Sequence, residues 1–174
     1  MSGDNEADLI ELAQAGDTKA FEKLYRANVG KIHALCMRLC GCKQLAEDLT
    51  QEAFIRAWQK LESFRGDSAF SSWLYRLSSN VAIGYLRQQN KWKMVNFDEI
   101  SNETILGTDS VHEERPDIEK SLQCLPDQAR VVVILHEYLG YQHNEIAQFT
   151  GMAVGTSKSH LFRAKSMLQA RYRA

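Results

Sequence analysis

The sequence predicts an all-α protein of two small helical domains joined by a flexible linker. Three observations carry this expectation. Apolar side chains recur at helical spacing through most of the 174 residues, whereas strand-like alternation is scarce. Only two prolines occur, Pro116 and Pro126, so long stretches lack the residue that most strongly breaks helices. Between residues 91 and 115 the periodicity disappears and the composition turns polar, acidic and rich in turn formers. That break divides the chain into a domain at 1–90, a linker at 91–115 and a domain at 116–174. With 44% hydrophobic and 25% charged residues, the composition is that of a folded soluble protein.

The elements follow in order. DLIELAQAG forms a short amphipathic helix that Gly16 can end. Asp17 is placed to cap the next helix, where Ala20, Phe21, Leu24, Tyr25, Ile32, Leu35, Cys36 and Leu39 fall at helical spacing until Gly41 closes it. LAEDLTQEAFIRAWQKL puts Leu45, Leu49, Ala53, Phe54, Ala57 and Leu61 on one side of a third helix. A loop at 62–68 leads into a fourth, from Ala69 to Gln89. Past Pro116, DIEKSLQCL opens the second domain; Pro126 sits at a helix start and ARVVVILHEYLG continues that helix. HNEIAQFT and VGTSKSHLFRAKSMLQARYRA, separated by GMA, close the chain.

No apolar run approaches the ~20 residues of a membrane span. The acidic start MSGDNEADLIELAQ is unlike a signal peptide, so the expected location is the cytoplasm. Four cysteines make no disulfide framework in a chain of this size. His33, Cys36 and Cys40 share one helix face with Cys42 just beyond, a spacing open to a metal or redox site. Cys36 and Cys40 also lie on the apolar stripe, where cysteine behaves as a small core residue, and no metal or cofactor is expected. The net charge of −1 says nothing of a nucleic-acid partner, but its distribution does. Residues 61–97 and 124–174 each carry a net +3, and residues 98–123 between them a net −6.

The last two helices have the pattern of a helix-turn-helix. Ala147 is small where helices must approach, Gly151 suits a left-handed turn, and Ile146, Phe149, Met152, Val154 and Leu161 supply an apolar seam. The second helix is expected to expose Thr156, Ser157, Lys158, Ser159, His160, Arg163 and Lys165. Short donors near its start and long cations further along suit a recognition helix reading base edges and holding phosphates. A solvated basic face on a helical domain remains the alternative. In FRGDSAFSSWLYRLSSN, aromatics are interleaved with serines, two arginines and an asparagine, a composition suited to a flat polar ligand.

AEDLTQEAFIRAWQKLESFRGDSAFSSWLYRLSSNVAIGYLR resembles region 2 of bacterial sigma factors of the extracytoplasmic-function group, specifically their sigma-E-like branch. LPDQARVVVILHEYLGYQHNEIAQFTGMAVGTSKSHLFRAKSML resembles their region 4. The resemblance implies a transcription initiation factor that is not itself an enzyme. Such a factor binds core RNA polymerase through the clamp helices of the largest subunit and the flap, and directs it to promoter DNA. It also implies an anti-sigma factor wedged between the two domains. By resemblance, Asp48, Gln51, Glu52, Ile55 and Arg56 dock on polymerase, although a solvated acidic face with a Glu52–Arg56 pair explains the same residues. The −10 strand would be held unpaired by Phe64, Arg65, Ser68, Phe70, Ser72, Arg76, Asn80 and Arg87, with Ser71 as a further donor. Trp73, Leu74 and Leu77, at helical spacing, read instead as core. The −35 element would be read by the seven residues of the last helix named above.

Some positions depart from the family pattern. Gln142 and His143 stand where a serine cap is usual, Ala153 where a serine or proline is, Ser157 where a valine is, and His160 where an arginine is. Ser157 is expected to lose about 1–2 kcal/mol of apolar burial. Two other classes remain open on the residues alone: a helix-turn-helix regulator acting on duplex DNA without polymerase, and an adaptor binding a partner protein through both domains.

Overall fold

The computed structural model describes residues 5–89 and 118–173; the linker assigned at 91–115 and the turn at Pro116 lie outside them. Every regular element among the described residues is helical, as the periodicity predicts. The chain divides into two compact units, Met1–Ile83 and Gly84–Ala174.

In the first unit, α1 (Glu6–Gln14) is followed by Gly16, whose φ of 94° turns the chain. Asp17 then caps α2 (Thr18–Cys40): its carboxylate accepts from the backbone N–H of Lys19 at 2.8 Å and of Ala20 at 3.2 Å. Gly41 ends α2 in the left-handed conformation, φ 67°, and donates its N–H to the Met37 carbonyl at 2.8 Å. After Cys42, α3 (Lys43–Lys60) begins.

A corner of two residues makes α2 and α3 antiparallel neighbours. Phe21 meets Trp58 edge-on with ring centroids 4.9 Å apart, and one turn along Tyr25 meets Phe54 at 4.7 Å. Ile32, Leu35, Cys36 and Leu39 from α2, and Ala46, Ala53 and Ala57 from α3, are all at most 1% exposed. The alanines keep one side of this seam thin, so the two helices pack closely. Each fully buried Leu or Ile contributes about 1.5–3 kcal/mol. Asn28 lies in the same stripe without penalty, because its amide donates to the Leu24 carbonyl at 2.8 Å.

Leu61–Ser63 add a single 3-10 turn after α3. Gln14 at the end of α1 holds that turn: its amide donates to the carbonyls of Leu61 at 3.0 Å and Phe64 at 2.8 Å. The loop that follows turns at Gly66, φ 75°, and enters α4 (Phe70–Gln88). Phe70, Leu74, Ser78, Val81, Ala82 and Leu86 form the buried face of α4. Ser78 satisfies its hydroxyl on the Leu74 carbonyl at 2.7 Å.

Besides the last residues of α4, from Gly84 on, the second unit contains α5 (Ile118–Gln123), α6 (Asp127–Val133), α7 (His143–Thr150) and α8 (Val154–Arg173). Pro126 precedes α6 as expected. The sequence reads ARVVVILHEYLG as one regular helix, but its second half widens into a π-helical turn over Ile134–Tyr138. There Leu139 donates its N–H to the Ile134 carbonyl at 3.0 Å, and Tyr141 to that of Leu135 at 2.9 Å. Val131, Val132, Ile134, Leu135, Ile146 and Ala164 form the core. Arg130 is also buried, its guanidinium donating to Asp127 at 2.6 Å and to the Leu125 carbonyl at 3.4 Å.

Two substitutions in the first unit should differ in scale. Asp17→Ala removes a cap and is expected to cost about 1 kcal/mol. Leu35→Ala opens a cavity in the α2–α3 seam and is expected to cost about 2–5 kcal/mol. Urea unfolding followed through the fluorescence of Trp58 and Trp73 measures both.

Candidate nucleic-acid and polymerase interfaces

The aromatic stretch first builds a small core of its own. Phe64 lies 5.7 Å from Phe70 and 5.3 Å from Trp73, and Phe70 lies 5.6 Å from Trp73, all measured between ring centroids. Phe70 is buried at 2% exposure and anchors the start of α4, and it still lines the edge of the cleft that Phe64 borders. Phe64 is half-buried and lines a cleft of about 380 Å³ against α1, together with Arg65, Gly66 and Ser68. Its carbonyl is held by Gln14 and its ring by Phe70 and Trp73, which fixes it on that side of the loop.

A second cleft, of about 280 Å³, gathers Arg56, Lys60 and Ser63 from the end of α3 and the following turn with Trp73, Arg76, Leu77, Asn80 and Val81 from α4. It has what an extruded base requires: an aromatic wall, an apolar floor, an amide edge and cations for the phosphates. The sequence groups Asn80 and Arg76 with Phe64 in one site; the structure places Asn80 and Arg76 in this cleft and Phe64 in the first. Trp73 and Leu77 were expected in the core, yet both are half-buried and line the cleft, and only Leu74 of the three is fully buried. Lys60 and Ser63 were missed because the loop's return to α3 is a tertiary event. Ser68 and Ser72 are exposed, Ser71 is half-buried, and Arg87 is exposed in the last turn of α4; none of them lines this cleft.

On α3 the outer face carries Asp48, Gln51, Glu52, Ile55 and Arg56. Ile55 is 54% exposed, an apolar side chain in water on an otherwise charged face. The expected Glu52–Arg56 pair forms, with Nε and Oε1 2.6 Å apart. Being about half exposed, it holds the face in order more than it stabilises the fold. Arg56 thus borders both this face and the cleft.

The helix-turn-helix consists of α7, Gly151 at φ 76°, and α8. The missing serine cap is compensated: the Glu145 carboxylate accepts from the Gln142 backbone N–H at 2.8 Å. Two of the expected DNA-facing residues turn inward. Ser157 is fully buried with its hydroxyl 2.9 Å from His143 Nδ1, joining the two helices of the motif. The serine in place of valine therefore carries a hydrogen bond instead of an unpaired hydroxyl. His160 is buried with Nε2 3.0 Å from the Gln128 side-chain oxygen, tying α8 to α6. The burial of Ser157 agrees with its expected loss of apolar contact; its polar partner, and the burial of His160, do not show on a helical wheel.

Thr156, Lys158, Ser159, Arg163 and Lys165 are exposed, and Phe162 joins them at 75% exposure. Phe162 was missed, although its place beside Leu161, off the buried seam, was available in the periodicity. Lys165 Nζ pairs with Glu137 at 2.7 Å, and that contact, with His136 beside it, holds the Glu137 carboxyl below its usual range.

Among the described residues no group of three or more His, Cys, Asp or Glu is placed to hold a metal ion, and no helix is long and apolar enough to cross a membrane. Burial pushes the Cys36 thiol up to about 11, against a hydrogen bond from Thr50 that pulls it down.

Acid should weaken the second unit. Burial, then the charge of Arg163, holds His160 below its ordinary 6.5; burial, then His136 and Lys158, does the same for His143. Both rings favour the neutral form when folded, so the unfolded chain takes up more protons as pH falls. Their stabilisation is complete above 6.5 and is lost as pH drops from there through the lowered folded values. Thermal melting at about pH 7.5 and about pH 5.5 should show a lower Tm in acid, and His160→Gln should reduce the difference.

The family model for Sigma-70 region 2 matches residues 24–92, and that for Sigma-70, region 4 matches residues 115–168. The chain is 35% identical to the ECF RNA polymerase sigma-E factor of Escherichia coli over 92% of its own length and 90% of that protein's. It is 32% identical to the factor of the same name from Haemophilus influenzae, over 92% of each. Its fold is similar to that of the sigma factor RpoE in complex with the anti-sigma factor NepR from Bartonella quintana, with TM-score 0.56 and 24% identity, covering 90% of this chain and 99% of that one. It is also similar to CnrH in complex with the cytosolic domain of CnrY, with TM-score 0.52 and 22% identity, covering 95% of each. With both family regions matched in order around a helix-turn-helix and a cationic cleft, the chain belongs to the extracytoplasmic-function group of the sigma-70 family.

Proposed function

We propose that the three surfaces divide the work of an alternative sigma factor. The domain at 1–90 docks on core RNA polymerase through the α3 face around Asp48, Gln51 and Ile55, and holds the unpaired −10 strand in the cleft of Trp73 and Asn80. The domain at 116–174 reads the −35 element through Thr156, Lys158, Ser159, Phe162 and Arg163. The chain itself catalyses no step and acts in the cytoplasm with polymerase; the complex of a structural neighbour with the anti-sigma factor NepR supports restraint by an anti-sigma factor.

One observation supports this reading above the others: the juxtaposition of Trp73, Leu77 and Asn80 with Arg56, Lys60 and Arg76 in one cleft. A regulator acting on duplex DNA alone has no use for such a cleft, and region 2 is the part of the chain that sets a sigma factor apart from it. In α8, Phe162 offers an apolar contact of the kind that thymine methyl groups accept, beside hydroxyl and cationic donors.

Reconstitution with core polymerase and run-off transcription from a genomic library tests the assignment. Asn80→Ala is expected to cost about 1–3 kcal/mol of open-complex stability, the worth of one edge-reading side chain, while core binding stays unchanged. Equal loss of core binding would make Asn80 a structural residue. Arg163→Ala is expected to weaken binding to −35 DNA and to lower the slope of log affinity against log salt by about 1. An unchanged slope would remove Arg163 from the phosphate contacts.

A further inference from the structure

The corner between α2 and α3 holds two thiols that none of these surfaces uses, in the sequence Cys40-Gly41-Cys42. Cys40 is half-buried and Cys42 exposed. We propose that Cys40 and Cys42 form a reversible thiol–disulfide switch, closed by exchange with a low-molecular-weight disulfide such as oxidised glutathione, that disturbs the start of α3. The consequence for polymerase rests on the docking role proposed for α3 above.

The geometry favours the pair. Two peptide units span at most about 7 Å when extended, and a disulfide accepts Cα atoms up to about 6.8 Å apart. This corner is not extended: Gly41 is left-handed at φ 67° and ψ 12°, which draws the flanking residues together. Cys40 Sγ already lies 3.3 Å from the carbonyl oxygen of Cys42. Cys42 is the N-cap residue of the 18-residue α3, and its side chain makes no capping bond, so it can turn without losing one. Cys36, a turn before Cys40, is fully buried and its thiol is pushed up to about 11, so it takes no part.

The exchange balances in two steps. The Cys42 thiolate attacks one sulfur of oxidised glutathione, breaking its S–S bond and releasing one glutathione thiolate. The Cys40 thiolate then attacks Cys42 Sγ and releases the second. The two protons given up by the protein thiols go to the two glutathione molecules, so the protein is oxidised and the small disulfide reduced. A ring closed over a single intervening residue is strained. Strained, exposed disulfides are the labile ones and form only when the surrounding pool turns oxidising.

Closure has a structural cost at one place. Cys40 now faces the carbonyl of Cys42, and that carbonyl accepts the Ala46 N–H at 2.9 Å in the first turn of α3. Bringing Cys42 Sγ to Cys40 rotates the Cys42 backbone and turns the carbonyl away. Leu39 and Ala46 on either side are fully buried and hold their places. The strain therefore falls on Gly41, Cys42 and the first turn of α3, immediately before Asp48.

The full chain equilibrated in glutathione buffers of graded potential, with remaining thiols alkylated and mapped by mass spectrometry, tests the pair. The expected result is loss of two hydrogens in the fragment holding Cys40 and Cys42, reversed by dithiothreitol, with the buried Cys36 still a thiol and any glutathione adduct on the exposed Cys124 distinguished by its mass. Core-polymerase affinity measured on the same samples should fall roughly tenfold or more on oxidation and return on reduction. Cys42→Ser places a favoured cap at the same position, so this variant should fold and bind core equally in both buffers. Absence of the Cys40–Cys42 disulfide, or its formation with unchanged core affinity, would overturn the switch. A reduced chain that does not bind core would overturn the docking role of α3 instead, with the thiol mapping still deciding whether the pair closes.

Discussion

The antiparallel pairing of α2 with α3 is the constraint on which the first unit depends. Leucine and isoleucine on α2 meet a row of alanines on α3, and two edge-on aromatic pairs lock the far end of the seam. A thin, closely packed inner face leaves the outer face of α3 free of packing duties. That is why Ile55 can stand in water beside charged neighbours without weakening the core. It is also why the two-residue corner matters: with both helices locked by buried side chains, any change of backbone there must be absorbed within a single turn.

The loop before α4 gains its shape from the same economy of contacts. Gln14 fixes two carbonyls of the loop from outside, and Phe64, Phe70 and Trp73 fix it from within. Rigid placement of an aromatic ring beside an amide edge lowers the ordering cost of binding any flexible ligand there. Trp73 serves both ends, since one side of its ring belongs to the aromatic cluster and the residue also lines the cleft with Asn80. A side chain of that size can satisfy packing and recognition together, which a smaller residue could not.

In the second unit, polar pairs hold the recognition helix where apolar contacts would ordinarily suffice. His143 with Ser157 joins α7 to α8, and His160 with Gln128 joins α8 to α6. Buried hydrogen bonds of this kind fix orientation more sharply than interchangeable apolar contacts do. They also withdraw two positions from the DNA-facing surface. What remains outward is a narrower set of hydroxyls, cations and one phenyl ring.

Much of the architecture was legible in the residues because it is set locally. Asp17, Gly41 and Gly151 end or begin helices through their own backbone and side-chain preferences, and the apolar periodicity of α2, α3 and α8 follows from helical geometry. The exposed face of α3 and the outward position of Asn80 were legible for the same reason. The π-helical turn at Ile134–Tyr138, the polar partner of Ser157, the burial of His160 and the turn of Trp73 toward the cleft were not. Three of these depend on residues from another element: Gln128 for His160, His143 for Ser157, and Lys60 and Ser63, which share the cleft with Trp73. Sequence alone determined which residues form helices and which faces are apolar, because spacing along a helix is a property of the segment. Only the tertiary structure decided which polar side chains became internal ties and which stayed free to read a ligand, because a polar group can be buried only where another element brings its hydrogen-bond partner.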